Sequence, residues 1–164
     1  MSLQGLTLDN GAVHLTFLAT ASETGGALHA QRARYAPSSP WAPRHSHPHQ
    51  DERFVVEQGA LCLRIDGVER IARAGEVVEI GRGVVHQARN ALDEPTIVNW
   101  ETRPALQSAE LYRALYAFPA GSRPPLLEAL ALLDAHREEF RLAFPPLLVQ
   151  RCLFGLLGPL LRMR

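Results

Sequence analysis

The sequence predicts a mainly β protein, an antiparallel sandwich or barrel over residues 1–103 followed by a helical extension over residues 104–164. Three observations predict it. Short segments of alternating or β-branched character follow one another closely before Pro104, which suits antiparallel strands better than a parallel sheet with helical crossovers. Turn residues separate these segments, at Gly59, Asp66-Gly67, Gly75, Gly81, Gly83 and the run from Asn90 to Pro95. After Pro104 the β-branched residues thin out and leucines recur near helical spacing.

Taken in order, Val13, Leu15 and Phe17 alternate with Ala12, His14 and Thr16, as in a half-buried strand. Because Asp9 lies just upstream, His14 lies within and no basic residue precedes it, this segment reads as a strand rather than a secretion signal. Leu28, Ala30, Arg32 and Arg34 alternate with His29, Gln31, Ala33 and Tyr35, giving a strand with two usable faces. Pro37, Pro40, Pro43 and Pro48 mark a loop, since proline has no N–H for a central ladder. Phe54–Gln58, Leu61–Asp66, Glu69–Ala72, Val77–Ile80, Val84–Arg89 and Thr96–Thr102 read as short strands, with Asp66-Gly67 as a hairpin turn. In the extension, Ala105–Phe118 reads as one helix. Pro124-Pro125 opens a second, with Leu126, Leu130, Leu133 and Phe140 along one stripe. Pro145-Pro146 opens a third running to Arg162, apolar nearly all round but interrupted by Gln150, Arg151 and Pro159. That interruption argues against a membrane span and for burial on the barrel or a second copy of the chain.

The chain has 164 residues, 46% hydrophobic and 21% charged, which is ordinary globular usage. Its 17 basic residues balance 17 acidic ones, and the arginines are scattered, so the sequence offers no electrostatic footprint for nucleic acid. Every basic residue is arginine. Schiff-base chemistry and a phosphate-binding P-loop, which need a lysine amine, are therefore excluded. Cys62 and Cys152 form no metal-finger spacing and read as reduced apolar fillers of a cytoplasmic protein.

The chemistry concentrates around His45, His47, Glu52 and His86. Side chains two apart in a strand share a face, so His45 and His47 can present two imidazoles to one cation. Glu52, Phe54 and Val56 share a face of the next strand. A carboxylate on an apolar inner face is costly unless a cation meets it. His86, with Val84 and Ala88 on the apolar side of its strand, supplies a third imidazole. Three imidazoles and one carboxylate suit Fe, Mn, Ni, Cu or Zn as a single divalent ion. His49 reads as a rim or loop residue, His14, His29 and His136 as structural or exposed. Phe54, Gln58, Gln87 and Trp100 are candidate cavity residues for a small-molecule ligand, and Trp41 is a candidate cover over its mouth.

His45-x-His47-x4-Glu52-x6-Gly59 resembles the first cupin motif, and Gly75-x5-Gly81-x-Gly83-x2-His86-x3-Asn90 resembles the second, departing only at Gly81, where cupins usually carry proline. The resemblance is to small single-domain bacterial cupins with a C-terminal helical tail. It implies a jelly-roll β-barrel, a metal held by His45, His47, Glu52 and His86, and turn glycines at Gly59, Gly75 and Gly83. It also implies a homodimer. Cupins include dioxygenases, isomerases and non-catalytic sensors, so the fold names no substrate. Two readings stand: a metal-dependent oxidoreductase of dioxygenase type or an isomerase, with Glu52 as ligand or catalytic base, and a non-catalytic module sensing a metal or small ligand.

Overall fold

Alternation decides which side of each strand turns inward, and the inward sides meet in one core. A computed structural model describes residues 2–122, 124–146 and 148–150. The strands are β1 (Thr7–Asp9), β2 (Val13–Ala19), β3 (His29–Tyr35), β4 (His45–Ser46), β5 (Asp51–Gln58), β6 (Ala60–Ile65), β7 (Val68–Arg73), β8 (Val77–Ile80), β9 (His86–Asn90), β10 (Thr96–Arg103) and β11 (Arg141–Leu142). A short helix α1 (Ala21–Thr24) precedes β3, and α2 (Ser108–Leu115) and α3 (Leu126–Ala135) lie between β10 and β11. They build two antiparallel sheets, ordered β1-β2-β3-β10-β5-β8 and β11-β4-β9-β6-β7. Leu15, Phe17, Ala33, Phe54, Val56 and Val98 of the first sheet pack with Leu61, Leu63, Ala72 and Ala88 of the second. This is the mainly β antiparallel fold that the strand periodicity predicts.

Register along β10 organises the first sheet's inner face. Thr102 lies opposite His29 on one side and Glu52 on the other, Trp100 opposite Gln31 and Phe54, and Val98 opposite Ala33 and Val56. Directly opposed residues share a face. The inner face is thus apolar at one end and polar at the other.

At the apolar end Gly59 turns the chain from β5 into β6 at φ +80, and a Cβ there would sit 2.5 Å from the Thr96 hydroxyl. That hydroxyl donates to Asn90 Oδ1 (2.7 Å) and accepts from the Ala60 N–H (3.1 Å), so it cannot move without orphaning buried groups. Gly59→Ala combines left-handed backbone strain with a displaced hydroxyl and is expected to cost roughly 2–4 kcal/mol. Chemical denaturation checks this; an unchanged midpoint would contradict it.

The extension is tied back to the sheets. Gln50 Nε2 donates to the carbonyls of Pro104 (2.9 Å) and Ala105 (3.1 Å) and to Ser108 Oγ (2.9 Å), fixing the start of α2 against the β4–β5 loop. Leu111 and Tyr112 of α2 are buried. The second predicted helix ends early. α3 stops at Ala135, and the polar run His136-Arg137-Glu138-Glu139, which offers no apolar stripe to bury, forms a turn in which the Phe140 N–H donates to His136 O at 2.8 Å. Phe140 therefore leaves the stripe on which helical spacing places it. The chain continues as β11, pairing Arg141 with Ser46 and Leu142 with His45. The predicted third helix lies outside the described residues beyond Gln150. Among the described residues no helix is long and apolar enough to cross a membrane.

Candidate metal centre

β4 and β9 are adjacent and antiparallel, with His45 directly opposite His86. Their ring centroids are 4.4 Å apart. His47, two residues along, turns to the same side and lies 5.0 Å from His45 and 5.4 Å from His86, ring to ring. One ligand nitrogen from each of the three lies within 4.8 Å of the other two. Glu52, facing inward near the start of β5, places Oε1 3.2 Å from His47 Nε2 and Oε2 2.9 Å from His86 Nε2. All four side chains are buried, with exposures of 7% for His45, 3% for His47 and His86 and 2% for Glu52.

Backbone carbonyls set the tautomer of each ring. His45 Nδ1 donates to Pro43 O (2.7 Å), His47 Nδ1 to Glu139 O (2.6 Å) and His86 Nδ1 to Val84 O (3.0 Å). A carbonyl only accepts, so each Nδ1 carries the proton and each neutral ring keeps its lone pair on Nε2. Trp100 Nε1–H donates to Glu52 Oε1 at 2.9 Å and helps to fix the carboxylate beside the cluster. Outer hydrogen bonds of this kind orient metal-ligating histidines.

The residues fit a cation. His47 Nε2 and Glu52 Oε2 are buried without a hydrogen-bond partner. Lone pairs of neutral imidazoles facing a carboxylate repel one another unless a proton or a metal lies between them. Ligand atoms adjacent on one ion with bonds of about 2.1 Å lie about 3 Å apart, which the 2.9 and 3.2 Å separations match. Without metal the cluster resolves the conflict by protonation. Burial pushes the Glu52 carboxyl up, but the surrounding His47, His86 and His45 outweigh it and hold it at about 2. In His86 burial pulls the imidazole down, and the Glu52 carboxylate outweighs it to leave the value raised. His45 is driven well below the ordinary value by burial first, then by the other two rings. A metal must therefore displace the His86 proton. Affinity is expected to fall about tenfold per pH unit below that raised value and to level off above it. Calorimetric titration with a divalent ion across pH checks this; a flat profile through that range would contradict it.

The other sequence candidates separate. Phe54 stacks on Trp100 (centroids 5.2 Å apart) and forms the apolar wall beside Glu52. Gln58 shares the parity of Glu52 but is six residues on, about 20 Å along the strand, and exposed opposite Ile97. It is not at the cluster. Gln87 is not there either: as the neighbour of the inward His86 it faces outward, its amide placed to donate to Ala42 O (3.3 Å) and to accept from Arg64 Nη1 (3.1 Å). Trp41 lies on that outer side between the guanidinium groups of Arg64 and Arg89, at 4.8 and 4.9 Å, so it covers no mouth. His49 is exposed and pairs with Glu138 at 2.9 Å.

Two groups escaped sequence reasoning. Phe140 stacks on His45 at 4.6 Å beside the Glu139 carbonyl that holds His47, so the extension closes the cluster. Helical spacing disguised it. The second is a buried polar row, Thr102, His29 and Gln31, next to Glu52. Its only sequence signal was a two-faced strand at β3.

Residues 31–100 match the family model for the cupin domain. Among solved structures, KdgF from Halomonas sp. superposes with a TM-score of 0.55 at 18% identity, covering 63% of this chain and 91% of that one. An RmlC-like cupin from Shewanella frigidimarina NCIMB 400 gives 0.54 at 19% identity, covering 66% and 92%. A sugar phosphate isomerase from a cupin superfamily of Silicibacter pomeroyi DSS-3 gives 0.50 at 24% identity, covering 57% and 60%. No curated protein matches the sequence. Over residues 31–100 the chain is similar to the cupin domain, and this part of it carries a histidine triad that could hold a metal.

Proposed function

We propose that this chain binds one divalent transition metal through His45, His47, His86 and Glu52 and uses it to bind or transform a small organic molecule. The observation that carries the reading is the set of carbonyl-locked imidazoles whose Nε2 atoms converge with an inward carboxylate. A bound metal would supply a Lewis acid, or a redox centre if it is Fe, Mn or Cu. The chain's own groups do the rest. Trp100 orients Glu52 through Oε1. Oε2, which faces the His86 imidazole at 2.9 Å, is the oxygen placed to ligate beside that ring or to take a proton from a bound molecule. Phe140 and the segment around it exclude water from the imidazoles.

The enclosure of all four side chains favours the second reading, a non-catalytic module in which the metal and a small ligand are held and sensed. Elemental analysis of the purified protein, then oxygen uptake with diketones, catechols and flavonols, separates the two. Stoichiometric Fe, Mn or Cu with uptake supports the oxidoreductase; bound zinc without uptake moves the reading to the sensor or an isomerase. Metal-free protein that refuses added divalent ions would overturn the centre. The homodimer and the cytoplasmic location are parts of this reading, with Val68 and Ile71, exposed on the two sides of edge strand β7, as apolar side chains along an edge available to a second copy.

A further inference from the structure

We propose that α3 and the turn at residues 144–149 dock on an anionic lipid bilayer through their exposed leucines and Phe144, with the arginines of the C-terminal stretch supplying the charge attraction. The inference is independent of the metal centre. It starts from where apolar surface is left over. Of the eleven large apolar side chains exposed among the described residues, five lie between residues 126 and 149, and they include the three most exposed: Phe144 at 79%, Leu148 at 76% and Leu126 at 72%. Leu127 and Val149 are the other two. Scattered single apolar residues are ordinary on a protein surface, but this concentration in one stretch marks a place that something apolar covers.

The sheets do not cover it. Helix α3 carries five leucines, of which only Leu130 is buried. In the turn, the polar residue takes the inside. Gln150 is buried, and its amide donates back to Leu142 O (2.9 Å) and Pro145 O (2.5 Å). The Val149 and Gln150 N–H groups both donate to Pro146 O, at 2.9 and 3.1 Å. Leu148 and Val149 are left facing solvent. The burial that the sequence predicts for the segment opened by Pro145-Pro146 is therefore not found at these two residues.

Charge selects the partner. Residues 1–140 carry 13 arginines against 17 acidic residues, whereas residues 141–164 carry four arginines and no acidic side chain. The same 24 residues hold eight leucines and two phenylalanines. Apolar side chains accompanied by cations and no anions suit a bilayer interface, where the apolar groups enter the acyl boundary and the cations meet anionic headgroups. A second copy of the same face is a poorer partner. A two-fold interface would set Arg141, Arg151, Arg162 and Arg164 against their own equivalents, with no acidic side chain of the stretch between them. Gln150, Arg151 and Pro159 interrupt the apolar run, and among the described residues no helix is long and apolar enough to cross, so the contact is with the surface of one leaflet.

The test is co-sedimentation of the full chain with vesicles of phosphatidylcholine alone and of phosphatidylcholine containing roughly one-quarter phosphatidylglycerol. The anionic vesicles are expected to bind at least about tenfold tighter than the neutral ones. Replacing Arg151, Arg162 and Arg164 together by Gln is expected to remove most of that preference. Phe144→Ser and Leu148→Ser are each expected to weaken binding to the anionic vesicles about tenfold. Both side chains are exposed in the free protein, so these two variants keep the parent's melting temperature. No binding to either vesicle, equal binding to both, or binding that all these variants retain would each overturn the proposal. So would a several-degree fall in melting temperature in Phe144→Ser, which would show that the chain's own residues cover this surface. A change from dimer to monomer in the same variant, read by light scattering without vesicles, would instead give the face to a second copy and equally overturn it.

Discussion

His86→Ala is expected to lower divalent-metal affinity by more than 100-fold while leaving the sheets folded. Removing an outer partner of a ligating histidine already costs about 10–100-fold, and this change removes a ligand. It also removes the group that Glu52 faces at 2.9 Å. The carboxylate then keeps the Trp100 N–H and the His47 imidazole, so the metal-free protein loses part of what holds Glu52 near 2, and the carboxyl's value rises. Because a depressed carboxyl stabilises the fold above its unfolded value and that stabilisation fades as pH falls through its folded value, the variant is expected to unfold at higher pH than the parent during acid titration. Competition with a chelator and far-UV circular dichroism check both parts. Stoichiometric metal in this variant and in His47→Ala would show that the ligands are other residues.

Ending the chain at Ala135 is expected to reduce metal affinity about 10–100-fold even though no ligand is removed. The truncation deletes the Glu139 carbonyl that accepts from His47 Nδ1 at 2.6 Å, the Phe140 ring on His45, and the pairing of β11 with β4. His47 is then free to rotate and water reaches the cluster. Phe140→Ala, which keeps the carbonyl, is expected to fall between the parent and the truncated chain. Metal affinity in the truncated protein equal to that of the full chain would show that the extension covers the centre without shaping it.

Much of this arrangement is legible from strand parity. His45 and His47 share a side because they are two apart, and Glu52 faces inward with Phe54 and Val56. Turn residues marked the hairpins, β2 and β3 coincide with segments of visible alternation, and β5–β10 fall on the short strand segments between the turns. What parity omits is distance and register. Gln58 has the same parity as Glu52 and still lies far from it. The inward polarity of His29 and Gln31 emerges only from pairing with β10, since β3 offers two faces of similar character in the sequence. Strands as short as β4 and β11 show no period at all. Phe140 was hidden by a helical spacing that its polar neighbours do not support.

The Glu139 carbonyl has one more consequence, which is reciprocal. If docking of this segment strengthens metal retention by some factor, thermodynamic linkage requires metal to strengthen docking by the same factor. Loading the centre would then protect the polypeptide near Glu139 against proteases, and the extent of that protection would report occupancy without any assay of turnover.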